Sequence, residues 1–205
     1  MTRTLSRLQG GTLEWTGEHW MSMLRLQGSS QDSAIVSHFS MKISPRGEGN
    51  VAVVRIGGEE GFHAVCTDNA GILEFVIPRC FERVSYWQAG LPVIESAFTR
   101  WGDATREPGW RIETEDGHTI VTGWTVTDPP VVLNSPWRNN QEVFSILYFT
   151  QEATVELDSN PIEGRPYLRD IWQDTLGGER SSCVFALSES FFDMILPPKP
   201  SPAPK

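Results

Sequence analysis

Between residues 164 and 183 the chain reads GRPYLRDIWQDTLGGERSSC. Arg165, Arg169 and Arg180 stand there among Tyr167, Trp172, Asp170 and Asp174. An arginine beside an aromatic ring has two chemical uses: its planar fork clamps a carboxylate, or it stacks on the ring. Arg165 precedes Asp170 by five positions and Arg169 precedes Asp174 by five, off the spacing that laces a surface helix with ion pairs. DSNPIEG (158–164) is turn chemistry, and a strand pattern resumes near residue 181. Connections of about sixteen residues without strand alternation often serve as lids or binding segments. The expectation is that 165–180 closes one end of a β fold. Tyr167 or Trp172 would turn inward, and Arg165 or Arg169 would pair with Asp170 or Asp174. The bland rival is a structural cap over a sheet edge.

Other candidates for chemistry are sparser. His63 and Cys66 fall on opposite faces of a strand and cannot share one ion without a bulge. His38 falls on the more polar face of its strand, where an exposed histidine is expected. His19 lies beside Trp15 and Trp20 in a segment with no clear assignment. H-E-x-x-H, G-x-S-x-G, the P-loop and G-x-G-x-x-G are all missing. The acids in RIGGEEGF (55–62) would repel phosphate. Cys66, Cys80 and Cys183 are widely spaced, with no C-x-x-C, and read as thiols in a reducing compartment. No metal, disulfide or cofactor is expected. Eight tryptophans in 205 residues supply both core filler and walls for a flat apolar ligand. Trp110 and Trp124 are the wall candidates besides Trp172.

Strands must position these groups. AIVSHFSMKI (34–43) alternates, with Ile35, Phe39, Met41 and Ile43 on one face. Further strands are expected at 50–56, 62–68, 72–77, 92–101, 142–150, 153–158 and 181–190. The DNAG turn (68–71) makes 62–77 read as a hairpin. Short helical stretches are expected near 18–27, 167–176 and 189–195. WRIETEDGHTIVTGW (110–124) fixes its own register. A three-residue loop, Glu115-Asp116-Gly117, pairs Ile112 with Ile120 and puts Trp110, Ile112, Ile120 and Trp124 inward. Gly117 is then left-handed, and His118 sits opposite Thr114 near the sheet rim.

Roughly ten strands separated by turns imply an all-β fold, an antiparallel barrel or strongly bent sandwich with one or two short helices. In general look the chain resembles the calycin (lipocalin-like) barrels: successive hairpins, bulky inward aromatics and a late irregular segment. The resemblance is one of architecture and brings no site residues with it. One β domain is expected over 1–196, with 1–33 an irregular segment packed on it. PPKPSPAPK (197–205) reads as a disordered proline-rich tail.

The net charge of −9 argues against nucleic-acid binding. No apolar run reaches the length of a membrane span, and no apolar stretch follows the basic N-terminus as in a secretory signal. A cytoplasmic protein is the expectation. Its role would be to hold a small apolar, amphipathic or carboxylate-bearing molecule in an internal cavity. Arg165, Tyr167, Arg169, Asp170, Trp172, Trp110, Trp124 and His118 are the candidate ligand contacts. A cofactor-independent isomerase, hydratase or cyclase using the same cavity is the second reading. An interaction module with a filled core is the third.

Overall fold

In a computed structural model the described residues are 11–58, 60–82, 84–126, 128–136 and 141–194. The proline-rich tail and Trp137 lie outside them. The protein is mostly β, 61% strand against 11% helical. The strands are β1 (Gly11–Arg25), β2 (Asp32–Ile43), β3 (Gly49–Ile56), β4 (Phe62–Thr67), β5 (Val93–Asp103), β6 (Glu107–Thr114) and β7 (Thr119–Thr125). They continue with β8 (Val131–Pro136), β9 (Gln141–Thr150), β10 (Glu152–Leu157), β11 (Asn160–Pro161), β12 (Leu168–Arg169), β13 (Arg180–Ser181) and β14 (Cys183–Met194). Among the described residues, twelve of them form one sheet in the order β11-β10-β7-β6-β5-β4-β3-β2-β1-β14-β9-β8, and β12 pairs with β13. The sheet has two edges, β11 and β8, and does not close into a barrel.

The central strands are buried on both faces. Odd-numbered residues of β1 to β4 and β9 look one way: Met21, Met23, Phe39, Val53, Val65 and Val143 belong to one core. Even-numbered residues look the other way, and Trp20, Leu24, Val36, Val54 and Cys66 belong to a second core. That second core is completed by Trp110, Ile112, Ile120, Trp124 and Val155 of β6, β7 and β10. The sheet therefore bends until its far half packs over its own centre. The first core is covered by helical turns and by the 165–180 connection.

The hairpin register is as expected. Ile112 pairs with Ile120 and Trp110 with Thr122, and all four large side chains are buried. Gly117 has φ +96°, a conformation that costs a side chain but not glycine. Four other expectations fail. Residues 11–33 are not an irregular segment, and 18–27 is not helical, because β1 runs over Gly11–Arg25. Its two buried faces and register shifts at Leu13/Trp15 and Gly17/His19 erase the period-two signal. Residues 189–194 continue β14 and form no helix. ILEFVI is not a strand but lies in α1 (Ala70–Val76) and the π-helical turn Ile77–Phe81 that follows. Asn69 decides this: its side chain accepts from the backbone N–H of Gly71 and Ile72, a helix N-cap. Ile72, Phe75 and Val76 are then buried at helical spacing. The helical segment carries the chain from β4 to β5, which run parallel and so need a crossover.

Candidate functional site

A cavity of about 720 Å³ opens on the first core. Its floor is the first-core face of β1, β9 and β14, and Phe39 of β2 contributes a ring. Residues 78–80 and 84–86 form one wall, and Arg169, Ile171 and Trp172 another. The volume suits a drug-sized molecule. Trp15, Met21, Phe39, Val143, Leu147 and Phe191 make most of the lining apolar.

Arg169 reaches into this lining from β12. Its Nη1 lies 3.2 Å from the sulfur of Met23 and 3.7 Å from that of Met21. Thioether sulfur is a weak acceptor and carries no charge. No carboxylate forms an ion pair with Arg169 among the described residues. The expected pairing with Asp170 or Asp174 is not made, since Asp170 begins a 3-10 turn and is exposed. Trp172, at the end of that turn, lines the cavity and meets Phe149 edge-on at 5.2 Å. Its buried indole N–H has no acceptor among the described residues. The other arginine in the lining, Arg79, is already paired with Glu14 at 3.1 Å and lies over the Phe75 ring.

A second polar group crosses the floor. His19 Nε2 is 3.2 Å from Ser37 Oγ, and the Tyr86 hydroxyl donates to that same oxygen at 3.0 Å. His19 Nδ1 faces Glu189 Oε1 at 3.7 Å. The imidazole lies flat on Phe39, with centroids 3.9 Å apart. Burial pushes the Tyr86 hydroxyl up to about 12, so it keeps its proton and acts as a donor. Of these residues only His19 stood among the candidates for chemistry, and without partners. Glu189 reaches the cavity because β14 has one extra residue near Leu187, seen against both β1 and β9. Val184 and Ala186 face the first core before it, and Phe191 faces that core after it. Even numbers give way to odd, and Glu189 turns in. A bulge of this kind re-aims side chains and leaves no mark in the residue types.

The other candidates scatter. Tyr167 packs against the first core but is covered by the Arg25 guanidinium at 3.7 Å. Its hydroxyl is pushed up to about 12 by burial and then by Asp32. Arg165 is exposed and lines shallow clefts elsewhere; its backbone pairs with Arg25. Trp110 and Trp124 lie in the second core, on the opposite face of the sheet from the cavity. His118 is at a distant rim, 2.8 Å from Asp158. Hydrogen bonds from the Thr119 backbone and then from His118 hold the Asp158 carboxyl below its usual range.

His38 is not exposed. It is 1% accessible, stacked on Phe98 and edge-on to Trp110. Nε2 meets Asn50 Oδ1 at 3.0 Å, while Nδ1 has no partner among the described residues. Burial drives its pKa down to about 3, so it is a neutral core residue. No helix among the described residues is long and apolar enough to cross a membrane, and no group of three or more His, Cys, Asp or Glu side chains there is placed to hold a metal. No protein-family model matches this chain, and no curated protein matches it in sequence.

Proposed function

We propose that the protein binds a small amphipathic molecule in the cavity, with its carboxylate on Arg169 and its apolar body along Met21, Phe39, Trp15 and Phe191. Arg169 supports this reading. A half-buried guanidinium set between two thioethers loses hydration and gains no counter-charge in return, a state that a bound anion relieves. Arginine suits a carboxylate because two parallel N–H bonds fit its two oxygens. The neighbouring indole N–H of Trp172 offers a further donor. A strongly bent sandwich with one cavity face, rather than a closed calycin-type barrel, is the architecture this reading uses. A cytoplasmic protein with no nucleic-acid or membrane partner fits the acidic charge.

The test is titration with 11-(dansylamino)undecanoate, a fluorescent fatty acid, followed by dansyl emission. Wild type should bind, and Arg169→Met should bind about tenfold to a hundredfold more weakly, the loss expected for a charge-assisted hydrogen bond. Equal affinities would remove Arg169 from the site and the carboxylate from the proposal.

A further inference from the structure

We propose that Glu189 and His19 form an acid–base pair that moves a proton beside a carbonyl of the molecule held by Arg169; this rests on the ligand reading above. Both side chains line the same cavity as Arg169. Their protons can be assigned from the hydrogen-bond chain. Tyr86 donates to Ser37 Oγ. Ser37 then has its own hydrogen to give, and His19 Nε2 stands 3.2 Å away. Giving it to Nε2 satisfies this buried hydroxyl, and the singly protonated ring then carries its hydrogen on Nδ1. That N–H points toward Glu189, yet 3.7 Å is too long for a direct hydrogen bond. A donor and a carboxylate base thus stand side by side at a cavity wall, each with capacity left for a ligand.

Their placement is built in several independent ways. Phe39 fixes the imidazole plane by stacking. The extra residue in β14 turns Glu189 onto the cavity face. Ser37 is fully buried and Tyr86 comes from the helical crossover, so three chain segments converge to set one tautomer. Apolar surroundings strengthen the effect of each group on a charge that develops between them.

The step that fits is enolisation. The substrate carboxylate sits on Arg169 and its ketone oxygen accepts the Nδ1–H hydrogen bond. Glu189 takes the proton from the adjoining carbon. The C–H bond breaks, its electron pair forms a C=C bond, and the carbonyl π pair moves onto oxygen. The enolate is held by His19, and Glu189 is left as the carboxylic acid. Return of the proton to either end of the enolate system restores the carboxylate. Nothing is oxidised or reduced. The substrate class is a keto acid, and the net reaction is a proton shift or exchange.

The experiment uses 4-oxo-4-phenylbutanoate in D2O. Proton NMR follows loss of the signal next to the ketone, and calorimetry measures binding in parallel. Wild type should exchange that hydrogen about a hundredfold faster than buffer. Glu189→Gln, which keeps shape, should bind the acid and lose the acceleration. His19→Gln should also bind it and lose most of the rate, while Trp101→Ala, outside the cavity, should match wild type in both measurements. Binding without exchange in wild type would overturn the acid–base pair and leave the carboxylate site standing. Exchange that survives in Glu189→Gln would likewise overturn it. Absence of binding in wild type would overturn both.

Discussion

On one face of the central strands Trp20 is fully buried against Phe185 at 4.4 Å, Trp124 at 5.0 Å and Trp110 at 6.0 Å. Directly across the backbone, Met21 looks into a cavity with His19, Arg169 and Glu189 around it, and the Met23 sulfur lies against Arg169. Adjacent residues of one strand thus serve opposite ends. The face covered by β6, β7 and β10 is filled with rings, and the buried His38 within it is kept neutral. The face covered by connections is left with room, soft sulfur atoms and unmatched charge. A sheet can cover another sheet without gaps because both are regular, whereas turns and short helices cover it unevenly. The space for a ligand falls where the cover is irregular.

The comparison breaks most visibly on stability. Trp20→Ala should cost about 3–5 kcal/mol, the range for a large aromatic removed from a packed core. Trp172→Ala, half-exposed on the cavity wall, should cost less than half of that. Urea unfolding of both measures the difference, and equal losses would mean that the cavity wall is packed as tightly as the filled face. Ile112→Ala and Ile120→Ala belong with Trp20, at about 2–5 kcal/mol each.

Acid should act next, and on the filled face. His38 titrates near 6.5 when unfolded and is driven to about 3 when folded. Between those values the unfolded chain binds more protons, so stability falls as pH drops through that window. At pH 5 this one residue should have removed about 2 kcal/mol. His38→Phe should flatten the pH dependence of unfolding below 6.5 by that amount. An unchanged slope would show that His38 reaches water in the folded state.

Arg169→Met gives a smaller effect with a diagnostic sign. Removing a half-exposed cation with no counter-charge should leave stability unchanged or raise it by at most about 1 kcal/mol. A loss of stability would show that Arg169 serves the fold through partners in the protein, which is the rival to a ligand site.

The two faces were not equally legible in the chain. The Trp110–Trp124 hairpin was, because its alternation, its Asp-Gly turn and the burial of four large side chains agree on one register. The 165–180 connection was legible as a cover that carries Trp172 and Arg169. The ion pairs expected within it are not made, because a 3-10 turn leaves Asp170 exposed. His38 was misplaced because a histidine that shares its face with Ser40 and Lys42 reads as polar, although Phe98 and Trp110 come from distant strands to bury it. His19, Ser37, Tyr86 and Glu189 come together through a bulge and a crossover, features that depend on spatial register and not on local pattern.

The smallest effect leaves stability untouched and locates the ligand. Cys66 and Cys183 lie fully buried on the filled side, where burial pushes their thiols up to about 11 and about 12. The thiolate is the reactive form, so neither should react with a disulfide reagent such as 5,5′-dithiobis(2-nitrobenzoate) until the protein unfolds. Cys80 is partly accessible and lines the cavity, so it should react in the folded state. At a concentration near its wild-type Kd, 11-(dansylamino)undecanoate should slow Cys80 labelling in wild type and slow it far less in Arg169→Met. Release of thionitrobenzoate, read by absorbance, counts the reacting thiols and times them. Labelling of Cys66 or Cys183 at the rate of Cys80 would mean that the filled face opens as readily as the cavity. Labelling of Cys80 that ignores the fatty acid in wild type would place the bound chain outside the cavity, even if dansyl emission shows that it binds.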